Sequence, residues 1–228
     1  MELFHTLSRG VDKRDIFLDD QDRFRFVHDL FEFNDQNWVN TTSKIFNSQN
    51  DIASRSDVEK RRKRKLLVDI HIFCIMSNHY HLLLSPKIAG GVSKFMKKLN
   101  MGYAKYFNNK YKRRGTLFES RYKSVPVKKH SHFVHLPYYI HFNPLDFVSP
   151  EWRVRRINNF TKAIEFLESY RWSSYLDYIG IKNFPSVTFR KFILECTGGS
   201  SEYKKHSTKW LKDLDFNEFK KTLLEDIL

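Results

Sequence analysis

"LLVDIHIFCIMSNHYHLLLSP", Leu66 to Pro86, holds two apolar runs, Leu66–Met76 and His79–Pro86, separated by the turn-like pair Ser77-Asn78. Apolar, β-rich runs bounded by turn residues read as the two strands of a central hairpin. The second run opens with two histidines one residue apart. Successive strand side chains point to opposite faces, so His79 and His81 share a face with α-carbons ~6.5–7 Å apart, and Tyr80 points the other way. Two imidazoles so placed can converge on one divalent metal. They can equally be satisfied by hydrogen bonds in a cleft.

Downstream, "GVSKFMKKLNMGYAKYFNNKYKRRG" sets Val92, Phe95, Met96, Leu99, Tyr103, Tyr106 and Phe107 on one face, the strongest amphipathic helix of the chain, ending at Gly115. Gly102 falls on that face, where a mid-helix glycine implies a close packing contact. Lys94, Lys97, Lys98, Lys105 and Lys110 fall mostly on other faces, where they can meet phosphate. "YKSVPVKK" reads as a strand at the sheet edge, because Pro126 cannot donate a ladder hydrogen bond. "HSHFVHLPYYIHFNP" reads as a helix capped by Ser131, kinked or restarted at Pro137, and ended by Pro144 through its restriction of Asn143.

Upstream, "ELFHTLSRGV" alternates and turns at Gly10, a strand. "DDQDRFRFVHDLFEF" starts with aspartates suited to an N-cap and continues with Phe24, Val27, Leu30 and Phe31 at helical spacing. Residues 34–65 read as a variable connection with room for a short helix, and the basic run Arg61–Lys65 reads as a solvated face. The order strand, helix, strand, strand, helix, strand predicts an α+β fold, a ferredoxin-like (RRM-like) antiparallel sheet with helices on one face. A helical C-terminal extension follows, so we expect a main domain over 1–178 and an extension over 179–228, with a break at Gly198-Gly199-Ser200.

The 228 residues include 41% hydrophobic and 16% aromatic residues, a composition of folded globular proteins. No apolar run approaches the ~20 residues of a membrane span, and the first residues carry no export pattern, so a cytoplasmic location is expected. Cys74 and Cys196 form no CxxC and read as reduced. The net charge of +14 attracts polyanions, nucleic acid above all.

"PYYIHFNP" supplies what a histidine pair lacks. Tyr139 and Asn143 lie four residues apart on one helical face. The Asn143 amide oxygen suits Mg2+ or Mn2+, and Tyr139 is a possible nucleophile whose phenol, with pKa ~10, needs activation. On spacing alone, Tyr138, Tyr139, Ile140 and Phe142 also read as ordinary packing. His5, His71 and His130 have no neighbour at such a spacing and read as structural. Arg113, Arg114, Arg121 and Lys123 surround a turn beside the expected site and suit phosphate oxygens. That turn also reads as a folded connection in which Glu119 pairs with Arg121. Trp172 reads as a core anchor.

"MSNHYHLLLSP", "RRGTLFESRYKSVPV", "YYIHFNPL" and "YRWSSY", in this order, together with "SRG" and "DIFLDDQDRFRF", resemble the single-tyrosine HUH transposases over roughly residues 2–178. The REP-associated tyrosine transposases are the more similar branch, the insertion-sequence transposases the other. The resemblance implies His79 and His81 as ligands of a catalytic Mg2+ or Mn2+, Tyr139 as the nucleophile and Asn143 as a third ligand. It implies a metal-dependent endonuclease and strand transferase on single-stranded or hairpin DNA, working through a 5′-phosphotyrosine. Lys97, Lys98, Arg113, Arg114, Arg121 and Lys123 would contact the DNA. The family commonly has Pro where this chain has Ser77, and its insertion-sequence branch usually has Gln at the position of Asn143. Relatives include dimers that exchange the tyrosine helix and monomers that hold the whole site in one chain, so a homodimer is one of two expectations. A non-catalytic RRM-like nucleic-acid-binding module and a phosphodiesterase using water remain alternatives.

Overall fold

The structure, a computed structural model, describes residues 1–38, 64–154 and 156–212. The short helix expected within the 34–65 connection falls largely outside them, as does most of the Arg61–Lys65 run. Of that run, Arg64 folds back over the Phe31 ring at 3.5 Å.

The chain builds β1 (Phe4–Arg9), α1 (Asp20–Glu32), β2 (Val68–Ile75), β3 (His79–Pro86), α2 (Gly91–Lys110), β4 (Lys123–Pro126) and α3 (His130–Phe142). The four strands form one antiparallel sheet in the order β2-β3-β1-β4. This is the expected ferredoxin-like arrangement, with β4 at an edge where Pro126 is tolerated. Two 3-10 turns follow, Asn143–Phe147 and Pro150–Val154, then α4 (Phe160–Ser169), α5 (Tyr175–Tyr178), α6 (Lys191–Thr197) and α7 (Ser200–Lys212).

The two faces of the sheet carry separate cores. α1 and α2 bury Phe26, Leu30, Phe95, Leu99 and Tyr103 against Tyr80, Leu82 and Leu84. α3 and the C-terminal helices bury Leu136, Tyr139, Ile140, Trp152 and Tyr203 against Ile72, Cys74 and Leu83. A β-bulge at His71 makes this division possible in β2. Ile70 and Ile72 would otherwise share a face; the extra residue sends Ile70 to one core and Ile72 to the other. His71 itself is fixed by Ser85 Oγ at 2.8 Å and the Phe189 carbonyl at 3.2 Å, and burial lowers its pKa.

Several local expectations hold. Asp19 caps α1 by accepting from the Asp22 amide at 2.9 Å. Gly102 lies against Phe33, so closely that a Cβ there would sit 2.2 Å from the ring. Trp172 packs edge-on against Phe24 and stacks on Phe184. Gly198 and Gly199, at φ 86° and 94°, break the chain between α6 and α7 in the left-handed conformation that glycine tolerates.

Others are corrected. α2 stops at Lys110, with the Tyr111 amide closing on the Phe107 carbonyl, rather than at Gly115. α3 is capped by Lys129 without a side-chain bond, and Ser131 lies inside the helix. α3 also runs through Pro137, because Leu136–Phe142 are buried and tertiary packing outweighs one missing hydrogen bond. Asn143 stays helical (φ −48°, ψ −37°) despite preceding Pro144, and the chain continues into the first 3-10 turn.

Candidate active site

The histidine pair sits where the alternation of β3 meets α3. His79 and His81 lie on the α3 side of the sheet, 8% and 0% exposed, with ring centroids 5.0 Å apart. The His81 ring lies edge-on to Tyr139, 6.2 Å between centroids. The nucleophile candidate thus packs against the histidine pair where α3 covers the sheet.

Each imidazole is oriented through Nδ1. His79 Nδ1 is 2.6 Å from Asn78 Oδ1, and His81 Nδ1 is 2.9 Å from His5 Nε2. Such contacts fix ring orientation and tautomer for coordination through Nε2. His5, which the sequence reading set aside, thus joins the site and stacks on His81 at 5.2 Å. β1 and β3 run antiparallel with Leu7 opposite His81, which brings the side chain two residues earlier onto the same face. Spacing within a single strand could not reveal this neighbour.

The Ser77-Asn78 turn has a clear purpose. Ser77 O accepts from the amides of Ile16 and Phe17 at 2.9 and 3.1 Å, and Asn78 O accepts from Gly10 at 2.8 Å. Asn78 Nδ2 donates to the Lys13 carbonyl at 3.0 Å while its Oδ1 holds His79. The turn ties the end of β1 to the first histidine.

Tyr139 is fully buried on α3, and Asn143 Nδ2 donates to its carbonyl at 2.9 Å. Tyr138 points elsewhere, packing on Tyr203 and Trp210, and burial raises its pKa, which disfavours a phenolate there. His141 also turns away, held by Tyr203 at 2.7 Å and Ser174 at 2.8 Å, with burial pushing its pKa down to about 3.

Arg153, in the second 3-10 turn, is the residue the sequence reading missed. Nη1 donates to Tyr139 Oη at 2.9 Å, and Nη2 donates to Asn143 Oδ1 at 2.7 Å. Asp146 accepts from Nε at 2.8 Å and from Nη2 at 2.7 Å, and also from the indole of buried Trp152 at 2.7 Å. Arg9 was missed too. It stands directly opposite His79 in the β1–β3 register, so the two side chains share a face. Arg153, ten residues beyond Asn143 and inside a 3-10 turn, has no periodic signature, and only the "SRG" triplet pointed to Arg9.

The basic residues divide. Lys123 pairs with Leu7, which pairs with His81, so it lies on the histidine face two strands away, ~10 Å at the usual strand spacing. Arg114 and Arg121 are exposed, and Arg113 donates to Asn108 Oδ1 at 3.1 Å. The connection carrying them is folded onto β1: Leu117 is buried, and Glu119 N donates to the Arg9 carbonyl at 3.0 Å. Lys97 and Lys98 ride on α2, across the sheet from the histidines. Lys98 is committed there, donating to the carbonyls of Asp35 and, at 2.7 Å, Asn37, with burial lowering its pKa.

Among the described residues, no three His, Cys, Asp or Glu side chains gather as a metal site. The candidate donors are the imidazoles of His79 and His81 and the Asn143 amide oxygen; the oxygen is the donor type that Mg2+ and Mn2+ favour, and the imidazoles are a type they tolerate. Asn143 Oδ1 accepts from Arg153, and a carbonyl oxygen has a second lone pair. In donor type the residues are compatible with such an ion. No helix among the described residues is long and apolar enough to cross a membrane.

The fold and site define a ferredoxin-like sheet whose central strand presents two histidines to a tyrosine helix. The family model described as "Transposase IS200 like" matches residues 38–143, which include His79, His81, Tyr139 and Asn143. The resemblance to that family is thereby shown over this stretch. A search of curated proteins finds no match. Among solved structures, one described as the REP-associated tyrosine transposase bound to a REP hairpin aligns with a TM-score of 0.43 at 9% identity, covering 81% of this chain and 82% of that one.

Proposed function

We propose that the protein is a metal-dependent endonuclease and strand transferase acting on single-stranded DNA at or near hairpins, through a 5′-phosphotyrosine. The observation that carries this reading is the meeting, within one chain, of the Tyr139 ring with His81 and of Asn143 with the Tyr139 backbone, inside the stretch matched by the transposase family. His79, His81 and Asn143 would hold Mg2+ or Mn2+. When bound, such an ion supplies Lewis-acid polarisation of the scissile phosphate and charge stabilisation at the leaving oxygen.

The chain's own residues do the rest. Tyr139 Oη forms a bond to phosphorus as the P–O3′ bond breaks; the phenol releases its proton and the departing O3′ takes one up. One phosphodiester replaces another, so a different 3′-OH can reverse the step and rejoin strands without ATP. Asn78 and His5 hold the imidazoles in register. Arg113, Arg114, Arg121 and Lys123 would grip the backbone of the strand, and the net charge of +14 draws it in.

The test is incubation of the protein with end-labelled hairpin DNA and Mg2+ or Mn2+. A covalent 5′ adduct that forms with wild type and vanishes in Tyr139→Phe and His79→Ala is expected. Cleavage that persists in Tyr139→Phe without an adduct would replace this reading with a water-using phosphodiesterase. Binding without cleavage across hairpins and metals would leave a nucleic-acid-binding module.

A further inference from the structure

We infer that Arg153 is a further catalytic residue, the side chain that stabilises the phosphoryl group on Tyr139; this rests on the proposed role of Tyr139 as nucleophile. Arg153 lies beyond the stretch 38–143 that the family model covers, so its role must be read from its contacts.

Those contacts are specific. The guanidinium donates to Tyr139 Oη and Asn143 Oδ1, the polar atoms of the two α3-face residues assigned to the chemistry. Its other end is clamped by both oxygens of Asp146, which Trp152 also holds. The fork is thus fixed at its base and aimed at the phenol oxygen, rather than left to sweep through solvent.

A phosphoryl group bonded to Tyr139 Oη carries its non-bridging oxygens one bond further on. Nη1, 2.9 Å from Oη, is therefore within hydrogen-bond reach of them. A planar, permanently charged fork is the side chain best suited to such oxygens, and donors held in place before the reaction need no reorganisation as charge develops. Because Nη1 donates to the phenol oxygen, the phenol's own proton points away from Arg153, which fixes the rotation of the hydroxyl. Stability alone does not explain the arrangement. The bidentate pair with Asp146 fixes the guanidinium by itself, and the donation to Tyr139 Oη comes from Nη1, the nitrogen that this pair does not use.

The experiment uses the full chain and the oligonucleotide that the wild type cuts. Rates of adduct formation in a single turnover at saturating DNA are compared with the Kd for the same oligonucleotide, in wild type, Arg153→Gln, Arg153→Lys and Asp146→Asn, each checked for a wild-type melting curve. Arg153→Gln is expected to slow adduct formation roughly 10²–10³-fold, the usual loss for one preorganised donor, while Kd moves less than about threefold. Arg153→Lys, which keeps charge without the fork, should recover part of the rate. Asp146→Asn, which leaves Arg153 in place but loosens it, should fall between. If Arg153→Gln fails to fold, Arg153→Lys and Asp146→Asn decide the matter by the same split. Adduct formation within about threefold of wild type in these variants, or a loss wholly in Kd, overturns the role of Arg153 and leaves Tyr139 as nucleophile. Absence of any adduct with wild type overturns the Tyr139 reading itself, and the Arg153 inference with it.

Discussion

Asn78 shows how much a single side chain can organise. Its amide holds the His79 ring at 2.6 Å and the Lys13 carbonyl at 3.0 Å, while its own carbonyl receives the Gly10 amide. Removing the outer partner of a coordinating imidazole typically lowers metal affinity 10–100-fold. We therefore expect Asn78→Ala to weaken Mn2+ binding by that order in a calorimetric titration, with the overall fold intact by circular dichroism; unchanged affinity would disprove the orienting role. At this scale the sequence was informative about the candidate site residues and silent about their neighbours. The i,i+2 and i,i+4 spacings bring out His79/His81 and Tyr139/Asn143 because strand and helix geometry are local. His5, Arg9 and Arg153 reach the site through strand register and a 3-10 turn, and no short-range period encodes those.

Among the elements, α2 carries the sharpest packing constraint. Gly102 is half-buried against Phe33, and the ring lies 2.2 Å from where a Cβ would stand. An alanine there gains about 1 kcal/mol in helix propensity but must push a buried ring out of place, at roughly 1–3 kcal/mol. We expect Gly102→Ala to lower the midpoint of thermal unfolding, and Gly102→Ala combined with Phe33→Leu to recover part of the loss; a stabilised Gly102→Ala would refute this contact. The periodicity of α2 and the glycine on its apolar face made this legible beforehand. α3 was less so. Its proline and its Asn143-Pro144 end suggested interruption, yet with Leu136–Phe142 buried the helix is continuous through Pro137 and Asn143 carries on in helical geometry.

For the whole molecule, charge and topology act together. With single-stranded DNA as the proposed substrate, the net charge of +14 predicts binding that weakens steeply with salt, each neutralised phosphate on a single strand contributing about 0.7 to the slope of log K against log salt. Arg121→Ala should reduce that slope by roughly one contact and weaken binding evenly across sequences, whereas Lys98→Ala should leave the slope unchanged, since its ammonium serves the carbonyls of Asp35 and Asn37. Titrations of fluorescent hairpin DNA between low and moderate salt measure both, and a slope reduced by Lys98→Ala but not Arg121→Ala would contradict the assignment. The sequence by itself determined the order of elements, the hairpin, the two histidines on one face and the tyrosine helix, because each follows from alternation or helical period within a short window. Only the tertiary structure decided which cations share that face, that α3 covers the histidine side while α2 covers the other, and that Arg153 closes on Tyr139. Those outcomes depend on strand order β2-β3-β1-β4 and on the bulge at His71, which bring together residues far apart in the chain through contacts no local pattern encodes.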